Sequence, residues 1–338
     1  MTRILGIESS CDETAASVVV DGHDVQSNVV ASQVELHRKF GGVVPEIASR
    51  AHIECIHNVV RMALEEADCG HSDIDAIAYT CRPGLVGSLL IGATAAKTLG
   101  WAWQKPLIAV NHVEAHAVSA AIGVDPAPWP AVALVVSGGH TSLYLVEDFE
   151  SVKLLGSTID DAAGEAFDKV ATMLGLGYPG GPVIDRISES GNAKAHAFPR
   201  TLLDRDSLDF SFSGIKTAVR YKIHGTGQTT GGLEQLSEQD IANIAASFQQ
   251  AVVDVLVKKT MRAVAQTGAT TVVLGGGVAA NRSLRGSLES ECDNRELAFF
   301  APKMAYCVDN AAMIASLGFR MFENGRTVHL DGDVSARG

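Results

Sequence analysis

Several protein classes are excluded by what this sequence does not contain. Its six cysteines (11, 55, 69, 81, 292 and 307) form no C-x-x-C pair, so we expect reduced thiols rather than a disulfide framework. No charge-free apolar stretch reaches the roughly 18 residues that a membrane-spanning helix needs, and Met1–Glu8 lacks the long apolar core of a signal peptide. Together these absences predict a cytoplasmic protein with no membrane segment.

Positive charge is also scarce. Lys and Arg number 27 against 39 Asp and Glu, which gives a net charge of −12. An acidic chain does not attract a polyanion by its overall field. If a nucleic acid is the substrate, a local patch or a partner protein must therefore supply the attraction.

Length and glycine content indicate a two-domain α/β protein. The chain has 338 residues, which is longer than a domain with a single hydrophobic core usually is. Many of its 33 glycines lie beside apolar runs, a pattern typical of α/β proteins whose strands end in ligand-binding turns. The apolar pattern predicts one element order twice: three strands, a helix, a strand, a glycine turn and a helix. We predict an N-terminal lobe over 1–124, completed by a C-terminal helix at about 309–326, a linker over 125–130 and a C-terminal lobe over 131–308.

Duplicated halves of this kind resemble the actin, Hsp70 and sugar-kinase superfamily. The resemblance implies two ribonuclease-H-like lobes with a central cleft that holds a nucleotide. Within the second lobe, Lys222–Gln235 is rich in Gly, Thr and Gln and is predicted to be a surface loop.

Two histidines, His112 and His116, are spaced for metal binding. Side chains four apart on a helix lie on one face, so two imidazoles can share one ion. In the zinc protease motif H-E-x-x-H, a glutamate directly follows the first histidine and is the general base. Here Glu114 comes two residues after His112, about 200° around an ideal helix, and points away. The alternative is a pair of packed or capping histidines at a domain junction.

Asp309 begins the last predicted helix, where it could be an N-cap. It could equally be a third metal ligand. A catalytic metal site keeps three protein ligands and an open position, and His112, His116 and Asp309 would meet that count.

Two glycine turns are candidates for nucleotide contact. Ser137-Gly138-Gly139 joins two predicted strands, and its amides could approach an anion closely, although Gly-Gly is also common in simple hairpins. Gly275–Gly277 follows a strand and precedes Asn281, which could cap the next helix or face a nucleoside. Neither turn matches G-x-G-x-x-G or the Walker loop.

Carboxylates cluster near two further turns. The acids of Asp160–Lys169 mostly complement a helix dipole, but Asp168 lies late in that run and could accept bonds from a ribose or an amine. The tight turn Tyr178–Pro182 precedes Asp185 by one helical turn or less. Asp12-Glu13 occupies the first turn of the chain, where the pair is either solvated or serves as a base or a ligand of metal-bound water.

Taken together, these motifs resemble the universal tRNA threonylcarbamoyladenosine transferase family, whose bacterial members are named TsaD and were once labelled O-sialoglycoprotein endopeptidase. The matching segments span nearly the whole chain in the family's order: Gly6–Thr14, Gly41–Arg50, Pro83–Leu89, His112–His116, Val136–Thr141, Asp160–Lys169, Tyr178–Pro182, Asp209–Thr217, Gly275–Asn281 and Asp309-Asn310.

The resemblance implies roles for particular residues. His112, His116 and Asp309 would bind one divalent metal ion, Fe²⁺ in the first place and Zn²⁺ as the alternative. The residues implied in holding the adenylate substrate are Val135, Val136, Ser137, Gly138, Gly139, Asp168, Gly181, Asp185 and Asn281. We take Glu13, or its neighbour Asp12, as the candidate for proton removal.

The implied reaction moves a threonylcarbamoyl group from threonylcarbamoyl-AMP to N6 of the tRNA adenosine just 3′ of the anticodon, and AMP leaves. In the family, bacterial members work with a catalytically inert paralogue (TsaB) and an ATPase (TsaE), while TsaC makes the adenylate. We therefore expect this chain alone to bind tRNA weakly and in a salt-sensitive manner.

Three other functions compete with this one. A zinc metalloprotease is supported only by the histidine pair. An ATP-dependent phosphotransferase of the same fold would need magnesium but not the histidines. A non-catalytic scaffold would be expected to lose the histidine pair, which this chain keeps.

Overall fold

The computed structural model describes residues 1–124, 127–149, 151–203 and 206–337. The chain divides into two compact units. Unit 1 comprises Met1–Trp129, Glu147–Val152 and Pro302–Gly338, and unit 2 comprises Pro130–Val146 and Lys153–Ala301. Two residues of the expected linker, Asp125 and Pro126, lie outside the described residues.

The described residues form the following elements. The strands are β1 (Arg3–Glu8), β2 (Glu13–Val20), β3 (Asp24–Ser32), β4 (Ala76–Arg82), β5 (Leu107–Asn111), β6 (Ala131–Val136), β7 (Thr141–Val146), β8 (Val152–Ser157), β9 (Thr271–Gly275) and β10 (Ala298–Phe300). The α-helices are α1 (Val34–Arg38), α2 (Pro45–Glu66), α3 (Val86–Trp103), α4 (His112–Val118), α5 (Ala163–Met173), α6 (Gly180–Ser188), α7 (Ser213–His224), α8 (Glu238–Thr267), α9 (Arg282–Asp293) and α10 (Ala311–Glu323).

The two sheets repeat one topology. The strand orders are β3-β2-β1-β4-β5 and, read from the other edge, β8-β7-β6-β9-β10. In each sheet the central strand pairs antiparallel with its hairpin partner and parallel with the strand that returns after the helices. Strands β1, β4 and β6 are almost wholly buried, as expected when helices cover both faces of a mainly parallel region. The repeated element order and the α/β class predicted from sequence are confirmed.

Local sequence fixes the ends of the long helices. Pro45 is the first residue of α2, where its missing N–H costs nothing. Ser237 and Asp240 form a capping box at the start of α8, and Gly268 ends it in the left-handed conformation with φ 72°. No helix among the described residues is both long enough and apolar enough to cross a bilayer.

Helix α10 packs directly on the central strands of the first sheet. A Cβ at Gly6 of β1 would lie 2.9 Å from the Ala315 backbone nitrogen, and one at Gly318 would lie 2.5 Å from the Ala78 Cβ. Real Cβ atoms do not approach so closely, so both glycines are required for the contact. This packing brings the start of α10 beside the end of β5 and α4, although they are almost 200 positions apart in sequence.

One local sequence prediction was wrong. Lys222 was expected at the start of a surface loop, but it belongs to the last turn of α7, a helix that was not predicted.

Candidate functional site

The histidine pair lies on the short helix α4 at the end of β5. Asn111 caps this helix, because its Oδ1 accepts hydrogen bonds from the amides of Val113 at 2.9 Å and Glu114 at 3.2 Å. The cap places His112 and His116 on one face, with ring centroids 4.6 Å apart and ring planes at 82°. Both imidazoles are buried, so neither points to bulk solvent.

Asp309 completes the cluster from the other end of the chain. The N-cap of α10 is Asn310, whose Oδ1 accepts from the Met313 amide at 3.1 Å, so the Asp309 carboxylate is not used as a cap. Its Oδ1 lies 3.0 Å from His116 Nε2 and 3.5 Å from His112 Nε2. One ligand atom from each of the three residues lies within 4.8 Å of the others. Two imidazoles and a carboxylate converging in this way fit a single divalent cation.

Glu8, at the end of β1, orients the first histidine. Its Oε2 lies 2.9 Å from His112 Nδ1 and accepts a 2.6 Å hydrogen bond from the Thr80 hydroxyl. Its Oε1 accepts from the Ser10 amide. A carboxylate on Nδ1 fixes the ring so that Nε2 faces Asp309, and such a carboxylate is the usual support for a metal-binding histidine. His116 differs, because its Nδ1 is buried without a hydrogen-bond partner.

The two histidines have opposite protonation preferences. Burial opposes the charge of His112, but Glu8 and Asp309 outweigh it and raise the pKa to about 9. Burial lowers the pKa of His116, against the opposing effect of Asp309. Burial also opposes the ionisation of Glu8, yet His112 brings its pKa below the ordinary value. A metal would therefore displace a proton from His112.

Glu114 is separate from this cluster. It is not among the three residues whose ligand atoms converge, and burial raises its pKa while Arg82 and Arg326 oppose that shift. The side chain is therefore not placed as the general base of a zinc protease would be.

Asp12 ends the turn between β1 and β2, and Glu13 is the first residue of β2. The Glu13 carboxylate accepts a 3.0 Å hydrogen bond from the Ser32 hydroxyl. Burial and the charges of Asp12 and Asp309 raise the pKa of Glu13 to about 10. At neutral pH this side chain holds a proton in the absence of a nearby cation.

In unit 2, the turn Ser137–Gly139 follows β6. The Ser137 amide donates to the His140 carbonyl at 2.8 Å, and the Ser137 carbonyl accepts from the Gly164 amide at 3.2 Å. A Cβ at Gly138 or Gly139 would meet no atom within 4 Å, so backbone is exposed there to an incoming group. The side chains of Val135 and Val136 are fully buried, which leaves only their backbone for any contact.

The triple-glycine turn follows the neighbouring strand β9, which pairs with β6 through Val135 and Gly275. Gly276 has φ 86°, and a Cβ there would lie 2.8 Å from the Val136 carbonyl carbon. Asn281 is buried and its amide is occupied at both ends: Oδ1 accepts from the Leu284 amide at 2.9 Å, and Nδ2 donates to Gln249 Oε1 at 2.8 Å. The capping role of Asn281 is thus observed.

The remaining predicted binding residues surround the start of α6. Asp168 Oδ1 accepts a 2.7 Å hydrogen bond from the Gly180 amide, and Gly181 has open space where a side chain would project. Asp185 Oδ2 lies 2.7 Å from Arg282 Nε, an ion pair that links α6 to α9. The structure therefore gathers these residues at one end of the second sheet, with each carboxylate already engaged.

Sequence reasoning missed two parts of these sites. Glu8 was not singled out from sequence, although a carboxylate at the end of an almost wholly buried strand was a usable signal. Asp160 was explained as a dipole complement. Instead, its carboxylate accepts from the hydroxyls of Ser211 at 2.6 Å and Ser213 at 2.7 Å and from the Phe212 amide at 2.8 Å. It thereby caps α7 from 52 residues away.

The fold places the chain in a known class. It resembles the solved structure of (R)-2-hydroxyglutaryl-CoA dehydratase component A from Acidaminococcus fermentans, with a TM-score of 0.55 and 16% identity over 95% of this chain and 98% of that one. The duplicated mixed sheets and this likeness show an α/β protein with the actin-like, Hsp70-like and sugar-kinase-like fold expected from sequence.

The family follows from closer relatives. The family model described as tRNA N6-adenosine threonylcarbamoyltransferase (TsaD) matches residues 24–316. Proteins of that name from Caldicellulosiruptor saccharolyticus and Moorella thermoacetica are 49% identical over 324 residues (96% of this chain, 94% of the relative) and 51% identical over 321 residues (95% and 92%). The chain belongs to this family of acyltransferases, which confirms the resemblance drawn from its motifs.

Proposed function

We propose that this protein transfers the threonylcarbamoyl group from threonylcarbamoyl-AMP to N6 of the adenosine just 3′ of the anticodon in tRNAs. The observation that carries the proposal is the convergence of His112, His116 and Asp309 in a chain that belongs to the TsaD family. Neither rival enzyme is favoured, because Glu114 is not placed for proteolysis and the family is named for acyl transfer to tRNA.

The reaction balances without an oxidant or reductant. The N6 amine attacks the carbamoyl carbonyl of the mixed anhydride, a C–N bond forms, the C–O bond to phosphate breaks, and AMP leaves. One proton is lost from N6. Because the ring delocalises the lone pair of this amine, the protein must position it against the carbonyl and stabilise charge on the leaving phosphate.

His112, His116 and Asp309 would hold one divalent cation. Two histidines and one carboxylate are the set typical of Fe²⁺, and Zn²⁺ accepts the same donors. When bound, such an ion would act as Lewis acid and template. Glu8 contributes by holding His112 Nδ1, so that Nε2 remains directed toward Asp309.

Unit 2 would bind the adenylate mainly through backbone. The exposed amides at Gly138 and Gly139 suit the phosphate, and the open backbone at Gly277 suits a flat base or ribose. Asp168, Asp185 and Asn281 would act by holding α6 and α9 in place, since each is engaged within the protein. Gly181 adds an open position at the start of α6.

Glu13 is the side chain that we assign to proton movement. With a pKa of about 10 it carries a proton at neutral pH. It could accept the N6 proton only after losing its own proton. A positive charge near Asp309 would favour that loss, because it would offset the negative charge of Asp309 that helps to raise the pKa of Glu13. Without that charge, Glu13 is a donor.

The partners follow from charge and family. With a net charge of −12, the chain needs help to hold tRNA, and we assign that help to a TsaB-like paralogue and a TsaE-like ATPase in the cytoplasm. We expect the lone chain to bind tRNA weakly and to lose that binding as salt rises.

Mass spectrometry of tRNA nucleosides from cells depleted of this protein tests the proposal. We expect threonylcarbamoyladenosine to disappear and to return when the wild-type chain is re-expressed. An unchanged level of the modified nucleoside after depletion would refute the proposed function.

A further inference from the structure

The segment between β3 and α2 has an anchored base and an exposed tip. His37 is fully buried. Its Nε2 donates to Gln33 Oε1 at 3.2 Å, and its Nδ1 accepts from the Val44 amide at 3.3 Å. Beyond it, the tip loop Arg38–Gly42 carries Phe40 with 51% of its surface exposed. The base is therefore fixed while an aromatic ring is held in solvent.

The tip loop is basic in an otherwise acidic protein. Arg38 and Lys39 precede Phe40, and no carboxylate occurs between Glu35 and Glu46, whereas the whole chain has a net charge of −12. Arg38 is ion-paired with Glu35 at 2.7 Å, so Lys39 is the cation of the tip that faces the ring. Lys39 Nζ lies 5.0 Å from the centroid of the Phe40 ring, and a Cβ at Gly41 would meet no atom within 4 Å. The space beside Gly41 therefore leaves room for an approaching flat group.

The same segment is connected to the metal centre within unit 1. The Gln33 amide donates to the Asp12 carbonyl at 3.0 Å. Two residues earlier in that turn, the Ser10 hydroxyl lies 3.2 Å from His112 Nδ1. The turn Ser10–Glu13 therefore contacts both the ligand cluster and the base of the tip loop.

We propose that Phe40 is a stacking platform for an unpaired nucleobase of the RNA substrate, with Lys39 facing the adjacent phosphate. This rests on the proposed function, which makes the substrate an anticodon loop. Unstacked bases of RNA loops are bound by aromatic rings and cations. A protein-binding hot spot would instead be an aromatic anchor within a packed apolar patch, whereas this exposed ring lies beside the Lys39 ammonium.

The test compares variants in steady-state transfer with the paralogue and ATPase present. The RNA is a synthetic anticodon stem–loop, and its concentration is varied while threonylcarbamoyl-AMP is kept saturating. We expect Phe40→Ala to raise KM for RNA about tenfold with kcat nearly unchanged, since stacking is worth roughly 1–3 kcal/mol per base, and Phe40→Trp to retain the wild-type KM. Lys39→Ala should make the plot of the logarithm of RNA affinity against the logarithm of salt concentration less steep, by about the contribution of one phosphate contact.

Leu36→Ala is the matched control, because Leu36 is 49% exposed in the same segment but carries no ring. It should leave KM for RNA unchanged. An unchanged KM in Phe40→Ala would overturn the proposal. The proposal would also be overturned if Leu36→Ala raised KM for RNA as much as Phe40→Ala, or if Phe40→Ala lost binding to the paralogue or the ATPase. Either result would make this face a protein-docking surface.

The proposed function and the platform can fail separately. If the wild-type protein transfers nothing, the function is refuted, and direct titration of the labelled stem–loop then decides the platform. Weaker binding by Phe40→Ala than by Leu36→Ala would still support it, and equal binding would overturn it.

Discussion

The two halves of this molecule repeat one topology but offer different groups for chemistry. In unit 1, side chains converge: His112, His116 and Asp309 place their ligand atoms within 4.8 Å. In unit 2, the polar side chains singled out from sequence are already bonded within the protein, and open space lies instead beside glycines.

The difference shows how one sheet plan can support two tasks. A cation needs side-chain donors, so unit 1 should lose cation binding when one of these side chains is removed. An anion or a flat base can be bound by backbone, so unit 2 should lose adenylate binding when a side chain is added at one of its open glycines. The following predictions test this contrast in order of decreasing effect.

The largest effect is expected for His116→Ala. Loss of one ligand should reduce threonylcarbamoyl transfer on the order of 10³-fold, equivalent to about 4 kcal/mol of transition-state stabilisation, while the protein stays folded. His57→Ala is the control, since His57 is exposed on α2. Activity within a few-fold of wild type in His116→Ala would remove the metal ligands from the mechanism.

Glu8→Gln should have the next largest effect. An amide is a weaker hydrogen-bond acceptor for His112 Nδ1, so metal affinity should fall by about 10- to 100-fold, as for other partners of metal-binding histidines. Competition with a chelator measures the affinity. Glu114→Gln should leave it unchanged, and equal losses in the two variants would show that Glu8 has no special role.

In unit 2, Gly139→Ala should weaken adenylate binding about tenfold, the equivalent of about 1.4 kcal/mol or one hydrogen bond. A methyl group at this turn obstructs the approach of a phosphate, but it meets no protein atom within 4 Å, so the melting temperature should not change. Gly286→Ala, at an equally open position, is the control. Calorimetric titration with AMP gives the affinity, and no change in it would place the phosphate elsewhere.

The smallest effect concerns acid stability through Asp160. Burial opposes its ionisation, but hydrogen bonds from Ser211 and Ser213 outweigh that effect and lower the pKa below the ordinary value of 3.8. Because the folded-state pKa is the lower one, the stabilisation is present above the unfolded-state value and is lost as the pH falls through the folded-state pKa.

Asp160→Asn should therefore show a shallower loss of unfolding free energy on acidification than wild type, as followed by urea denaturation across that range. Asp331→Asn, at an exposed position, should keep the wild-type slope. An unaltered slope in Asp160→Asn would mean that its bonds to the start of α7 do not depend on its charge.

The sequence predicted well those elements whose signal is local. Strands β1, β4 and β6 coincide with apolar runs of the sequence. His112 and His116, four residues apart, lie on one face of α4 as their spacing predicts. Asp309 could be tied to them only by the ligand count of a catalytic metal site and by family resemblance, since nothing local shows that α10 packs on β1. Glu8 was missed because its bond to Thr80 depends on the register that pairs Ile7 with Tyr79. Helix α7 was missed because its cap comes from Asp160, far away in the chain.

Metal analysis of the purified protein tests the central claim most directly, with Asp309 as the probe because it is the ligand farthest away in sequence. The account predicts one tightly held iron or zinc ion per wild-type chain and per Asp331→Ala chain, and loss of that ion from a folded Asp309→Ala protein. A full complement of metal in Asp309→Ala would contradict the account, because the ion would then be held without the carboxylate that closes the site.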